Sequence, residues 1–297
     1  MAEPGLGIRI MDKEKFLKIG IVGHGFVGKA TDYGFSVKTE KFIVDPLINT
    51  NIQQLSEFNP KITFVCVPTP MGLSGVQDSS IIESVVKELT KKCPESIIVI
   101  KSTVIPSILQ TLEKANNNII YNPEFLREKH ANEDFINSDM IILGGNKNIS
   151  SIVSTYYYKH SKCITKEHIF TDIYTASLVK YSINTFLASK VLFFNEMNEI
   201  FQKIESNDSW ENFIKIISKD KRIGSSHMDV PGHDGKKGFG GACFPKDTAA
   251  LLKYAESIGV DFQSLKAVIK KNNKIRNIYD HIGSREREQN VSFDDKI

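Results

Sequence analysis

Short apolar runs recur through the first half of the chain, at "KIGIVG" (18–23), "KFIVD" (41–45), "ITFVCV" (62–67), "SIIVIKST" (96–103), "NIIYNP" (118–123) and "MIILGG" (140–145). Each is short and bounded by turn residues, as buried strands are. Between several of them the spacing becomes helical, most clearly in "SSIIESVVKELTKK" (79–92). Strands alternating with helices predict an α/β fold, a Rossmann-like doubly wound parallel sheet covered on both faces. That domain is expected to span 17–171.

After "KCITKEHIFTDI" the period changes. From Tyr174 to about Ile204 apolar residues keep helical spacing with no Gly or Pro, which predicts a helix roughly 45 Å long at 1.5 Å per residue. Shorter helical patterns follow at "SWENFIKIISKD", "PKDTAALLKYAESIG" and "FQSLKAVIKKNNKIRNIYDHI". A second, mainly helical domain is therefore expected over 172–282. The polar stretch 283–297 reads as a disordered tail. The apolar residues of the long helix, among them Phe186, Leu187, Val191, Leu192, Phe193 and Phe194, point in too many directions for one intramolecular stripe, and predict a homodimer through this helix.

The first strand runs into G-x-G-x-x-G, with Gly23, Gly25 and Gly28 opening a helix and Asp45 ending the next strand. Such glycines permit a tight turn, close approach of backbone to a pyrophosphate and close helix packing, while the acid takes a ribose hydroxyl. A carboxylate at Asp45 would repel a 2′-phosphate, so the expected cofactor is NAD rather than NADP. A second glycine-rich stretch, "KKGFGGACFPKDTAAL" (236–251), sets Cys243 between a pliable turn and the helix start at Pro245.

Composition narrows the partners. Thirty-eight basic residues against 35 acidic ones leave a net charge of +3, which argues against nucleic acid as the main partner. No apolar run approaches the roughly 20 residues of a membrane span, and the first residues lack the apolar core of a signal peptide; the reading is cytoplasmic. Four cysteines, Cys66, Cys93, Cys163 and Cys243, have neither metal-ligand nor disulfide-framework spacing, and no metal is expected.

"VCVPTP" (65–70), "KSTV" (101–104), "NPEFLRE" (122–128), "VKYSINTFLASKVLFFNE" (179–196), "RIG" (222–224) and "GFGGACFPKD" (238–247) occur in that order. Together they resemble the UDP-glucose/GDP-mannose dehydrogenase family of nucleotide-sugar dehydrogenases over about 18–276. The resemblance implies a four-electron oxidation of a sugar C6 alcohol to a carboxylate, reducing two NAD. Cys243 would hold the intermediate as a thiohemiacetal and then a thioester, activated by a local field from Lys246 and the following helix start.

Residue by residue, the resemblance makes Lys180 and Asn184 stabilisers of charge on the sugar oxygen and holders of a water. Asp247 becomes their partner in proton transfer, Glu124 a general acid/base for thioester hydrolysis, and Thr103 a neighbour of the reacting centre. It places Gly23, Gly25, Phe26, Val27, Gly28, Asp45, Val67, Pro68, Thr69, Thr103, Glu128 and Lys246 at the cofactor. Glu124, Phe125, Leu126, Arg127, Lys180, Asn184, Arg222, Phe239, Gly240 and Cys243 fall at the nucleotide sugar, with Arg222 reaching the site from a neighbouring subunit. Ser177 stands where many relatives carry glutamate and Lys129 where many carry glycine. Many relatives also continue into a third, nucleotide-binding domain, so the resemblance is strongest to short forms. UDP-glucose is the best match; GDP-mannose and UDP-N-acetyl sugars stay open. The alternatives are a two-domain β-hydroxyacid dehydrogenase, which needs no cysteine, and a silent dimerising homologue.

Overall fold

The computed structural model describes residues 16–294; the segment read for a leader and the last three residues of the expected tail lie outside them. Seven strands form one sheet: β1 (Leu17–Val22), β2 (Thr39–Val44), β3 (Ile62–Val65), β4 (Ile97–Ile100), β5 (Ile119–Tyr121), β6 (Ile141–Gly145) and β7 (His168–Thr171), in the order β2-β1-β3-β4-β5-β6-β7. Helices α1 (Phe26–Gly34), α2 (Ile52–Phe58), α3 (Ser80–Lys92), α4 (Pro106–Ala115), α5 (Ala131–Ile136) and α6 (Lys147–His160) connect them. One core cluster gathers Val22, Val65, Ile98, Ile100 and Leu109, and a second Ile19, Ile21, Phe64, Val99 and Phe135. Successive residues of β1, β3 and β4 divide between the two clusters, as the pleat of a sheet covered on both faces requires.

The strand order reverses beside β1, and the glycine turn sits at its carboxyl end, where open α/β sheets bind ligands. Two features depart from the expected all-parallel sheet. The segment around His168 adds an edge strand, and β6 runs antiparallel to β5 while β7 follows β6 in parallel. The six-residue α5, about 9 Å long, is too short to carry the chain back across the sheet. It packs on α1 instead, so β6 enters from the opposite end.

Asp172 caps the long helix α7 (Ile173–Phe201), its Oδ1 accepting from the amides of Tyr174 and Thr175. Beyond it come α8 (Trp210–Ile217), α9 (Phe244–Ser257), α10 (Gln263–Arg276) and α11 (Ser284–Glu288). One stripe of α7, with Ala176, Lys180, Tyr181, Asn184, Ala188 and Asn195, is buried against β6, α4, α9 and α10. Of the residues expected at a dimer contact, Leu192 and Phe194 are buried within this chain, whereas Phe186 and Phe193 are exposed.

The expected disordered tail is corrected for 283–294. Glu286 is 3 % exposed and pairs with Arg276 at 2.8 Å; Val291 and Phe293 are buried, and the Arg276 guanidinium lies over the Phe293 ring. The local run "SRERE" looks solvated because its charges are balanced by residues distant in sequence, which composition does not register.

Candidate active site

Six side chains from three distant segments meet at the junction of the sheet and the helical half. The strand β5 ends at Tyr121 and delivers "NPEF", burying Glu124. Lys180 and Asn184, four apart and hence on one face of α7, are buried opposite it. Lys180 Nζ donates to the Glu124 carbonyl at 2.5 Å and lies 3.3 Å from its Oε1. The first turn of α9 brings Lys246 and Asp247: Asp247 Oδ1 accepts from Lys246 Nζ and Oδ2 from Asn184 Nδ2, both at 2.6 Å. Cys243, one residue before α9, is half-buried beside these charges.

Burial works against the Lys180 ammonium, but Glu124, Cys243 and Asp247 outweigh it and hold its pKa above the ordinary lysine value. This cation is therefore fixed in place, within 5.1 Å of the Phe125 ring as well. The Cys243 thiol behaves in the opposite sense. Burial, with Asp247 adding to it, pushes its pKa up to about 11 despite Lys246 and Lys180. The expected local activation by Lys246 and the helix start is thus corrected: Lys246 is committed to Asp247, and desolvation outweighs the field. The thiol is neutral near pH 7, so any nucleophilic use of it would require a base, and Asp247 and Glu124 are the carboxylates beside it.

A direct consequence is measurable. Since the thiolate is the alkylating form, Cys243 should react with iodoacetamide about tenfold faster per unit from about pH 7 to pH 10. Mass spectrometry of the Cys243 peptide reads this rate; a plateau below pH 9 would contradict the desolvated thiol.

The nucleotide turn fits a dinucleotide. Gly23 has φ +87°, and a Cβ on Gly28 would meet the Gly23 carbonyl oxygen at 2.0 Å, so only glycine permits this contact. Gly25 faces open space, with no atom within 4 Å of where a Cβ would stand. Phe26 and Val27 begin α1 behind it, so the first helical amides are available to a phosphate. Asp45 Oδ2 accepts from His24 N at 2.7 Å and its Oδ1 from Leu47 N at 2.9 Å, which holds the carboxylate at the rim of the turn. Val67 and Thr69 are buried and Pro68 is exposed after β3. Thr69 Oγ1 and Gln77 Nε2 both donate to the carbonyl of the buried Thr103. Gln77 also reaches the hydroxyl of Tyr181, next to Lys180. Glu128 pairs with Arg285 at 2.9 Å, and that guanidinium lies over the Phe26 ring.

Other expected residues stand apart from the polar cluster. Arg127 makes a two-pronged pair with Asp134, and Arg222, almost fully exposed, pairs with Asp220 of its own turn. Leu126 packs on the sheet core, its amide donating to Glu124 Oε2 at 2.7 Å. Phe239 is buried and Gly240 lies against Arg276. Ser177 donates to the Val104 carbonyl at 2.7 Å, a role in packing α7 on β4's outgoing loop, and Lys129 is exposed. Residues missed from sequence are Gln77, Asn195, Asn272, Arg276 and Glu286. All five are polar side chains buried in the folded chain, and nothing in the local pattern of the sequence marks a polar residue as buried. No cluster of metal-ligating side chains and no helix long and apolar enough to cross a membrane occurs among the described residues.

Residues 47–162 match the NAD binding domain model of the UDP-glucose/GDP-mannose dehydrogenase family, and residues 174–274 match its central domain model. A UDP-glucose 6-dehydrogenase of Rickettsia bellii is 34 % identical over 253 residues, a match taking in 80 % of this chain and 56 % of the relative. The chain thus spans about half the length of the curated relatives it matches. Among solved structures, a UDP-glucose dehydrogenase from Pyrobaculum islandicum superposes with TM-score 0.74 at 26 % identity, covering 91 % of this chain and 70 % of that one. A Mycobacterium tuberculosis 3-hydroxyisobutyrate dehydrogenase superposes with TM-score 0.66 at 14 % identity, covering 95 % and 98 %, a likeness of fold alone.

Proposed function

Because the chain belongs to the UDP-glucose/GDP-mannose dehydrogenase family, we propose that it oxidises the C6 alcohol of a nucleotide sugar, best UDP-glucose, to the carboxylate. The observation that carries this reading is the convergence of Glu124, Lys180, Asn184, Asp247 and Cys243 into one cluster at the carboxyl edge of the sheet, the edge that also carries the glycine turn. A fold serving only dimerisation or a single hydride transfer has no use for a cysteine set among two lysines and two carboxylates.

NAD, held by the turn at Gly23–Gly28 and by Asp45, would accept a hydride in each of the two oxidations. In the first, a water held by Asn184 takes the hydroxyl proton and passes one of its own to the Asp247 carboxylate, while Lys180 stabilises the negative charge developing on the sugar oxygen. In the second, Cys243 adds to the aldehyde carbonyl as its proton passes to a neighbouring carboxylate, Lys180 holds the resulting thiohemiacetal oxyanion, and loss of the C6 hydride from that anion gives the thioester. Water then adds to the thioester with Glu124 as base, and the tetrahedral intermediate expels Cys243, which regains a proton. The raised thiol pKa suits this order, since the nucleophile stays neutral until a carbonyl is seated. The test is NADH formation against UDP-glucose, GDP-mannose and UDP-N-acetyl sugars. Two NADH per UDP-glucose supports the reading, and one per substrate, or none with any sugar, rejects it.

We further propose that two copies pair through α7. Phe186, Phe193 and Ile200 stand seven residues apart and are all exposed, a stripe along one face. Light scattering at micromolar concentration is expected to give twice the 33.4 kDa chain mass, and Phe186→Glu with Phe193→Glu to give the monomer. A monomeric wild-type chain would remove the assignment.

A further inference from the structure

The loop leading to Cys243 is held by acceptors from three helices. Gly238 N donates to Asn195 Oδ1 of α7 at 3.0 Å, Phe239 N to Asn272 Oδ1 of α10 at 2.7 Å, and Gly241 N to Glu286 Oε1 of α11 at 3.0 Å. The first two acceptors are neutral amides. The third is a buried carboxylate, which also accepts from Arg276 Nη2 at 2.8 Å and, through Oε2, from Gly283 N at 2.5 Å. Arg276 is itself 4 % exposed and pairs through Nη1 with Asp234 at 2.7 Å. Gly240 is pressed against this pair: a Cβ there would meet Arg276 Nη2 at 2.3 Å and Glu286 Oε1 at 2.4 Å.

None of the chemical steps above uses Glu286 or Arg276, yet burying an ion pair gives back little net stability and often none. Its placement supplies another use. Gly241 has φ +81°, and successive glycines leave this loop free to sample many conformations unless it is anchored. A hydrogen bond to a carboxylate is roughly twice as strong as one to a neutral acceptor, and this one is made two residues before the cysteine.

We infer that Glu286 is a positioning residue, which fixes the Gly238–Cys243 loop and so sets the nucleophile against the carbonyl it attacks. The inference rests on the assignment of Cys243 as nucleophile. The segment that carries Glu286 is tied down on its other side as well: Arg285 pairs with Glu128, and the Gln289 carbonyl accepts from Met71 N at 2.9 Å. Residues 283–291 form a strap from the nucleotide-binding half to the cysteine loop.

Two variants of the full chain test this. Glu286→Ala removes the anchor, and Glu286→Gln keeps an oxygen for Gly241 while losing the charge. The alanine variant should lose about 10²-fold in kcat, the scale of a misplacement near 1 Å, with the KM for NAD little changed and the glutamine variant in between. Iodoacetamide, used with no substrate present, should alkylate Cys243 about tenfold faster in the alanine variant, reflecting one lost charged hydrogen bond, while Cys66, Cys93 and Cys163 keep their wild-type rates. Unchanged Cys243 alkylation in both variants overturns the inference. So does a parallel rise at all four cysteines, which reports general unfolding. The alkylation arm needs no sugar, so it separates failure of the strap from failure of the proposed reaction.

Discussion

Cys243→Ala is expected to lower acid formation by about 10⁴-fold or more, the scale seen when a covalent nucleophile is removed, while NAD binding and the fold persist. The thiol caps no helix through its side chain and alanine deletes a single sulfur atom, so its loss should cost stability about 1 kcal/mol. Cys243→Ser should be nearly as poor, because a hydroxyl is a weaker nucleophile and an ester a slower substrate for hydrolysis than a thioester. Glu124→Gln keeps the nucleophile and removes the base for hydrolysis. Intact-protein mass spectrometry of that variant, incubated with UDP-glucose and NAD, should show a covalent sugar adduct. Two NADH per sugar from Cys243→Ala at near wild-type rate would refute the covalent route.

Lys180→Met should lower kcat by about 10²- to 10³-fold, the range for removing one preorganised stabiliser of an oxyanion. It should also destabilise the fold by about 3–5 kcal/mol, because the buried Glu124 carboxylate is left without its cation. The two effects separate in the double variant Lys180→Met/Glu124→Gln. Neutralising the acid removes the uncompensated charge, so most of the stability should return, as read by urea unfolding, while turnover stays lost. Recovery of turnover together with stability would mean that Lys180 serves only to neutralise Glu124.

Much of this was legible in the linear chain. The period of the apolar residues placed β1 to β6 and α7 because those segments are long or repetitive enough for burial to show locally. The glycine turn and Asp45 marked the end of the sheet where a nucleotide is expected, since steric freedom and charge sign are properties of single residues. Glu124, Lys180, Asn184, Cys243 and Asp247 were named through a family resemblance, not from their spacing. In isolation each has an ordinary alternative: a loop acid, a solvated helix face, a helix-start carboxylate.

Tertiary structure decided what depends on relations between distant segments. The antiparallel entry of β6 follows from where α5 packs, which no local pattern encodes. The state of the Cys243 thiol reversed the expectation drawn from neighbouring residues, because desolvation depends on everything packed around the sulfur, whereas sequence shows only the adjacent lysine and helix start. The C-terminal run read as solvated from its charges. It is docked because Arg276 and Gly241 satisfy Glu286, and only the folded chain brings those two groups to one carboxylate. Sequence determines the chemistry each residue can perform; burial and partner, set by the whole fold, determine in which charge state and position it performs it.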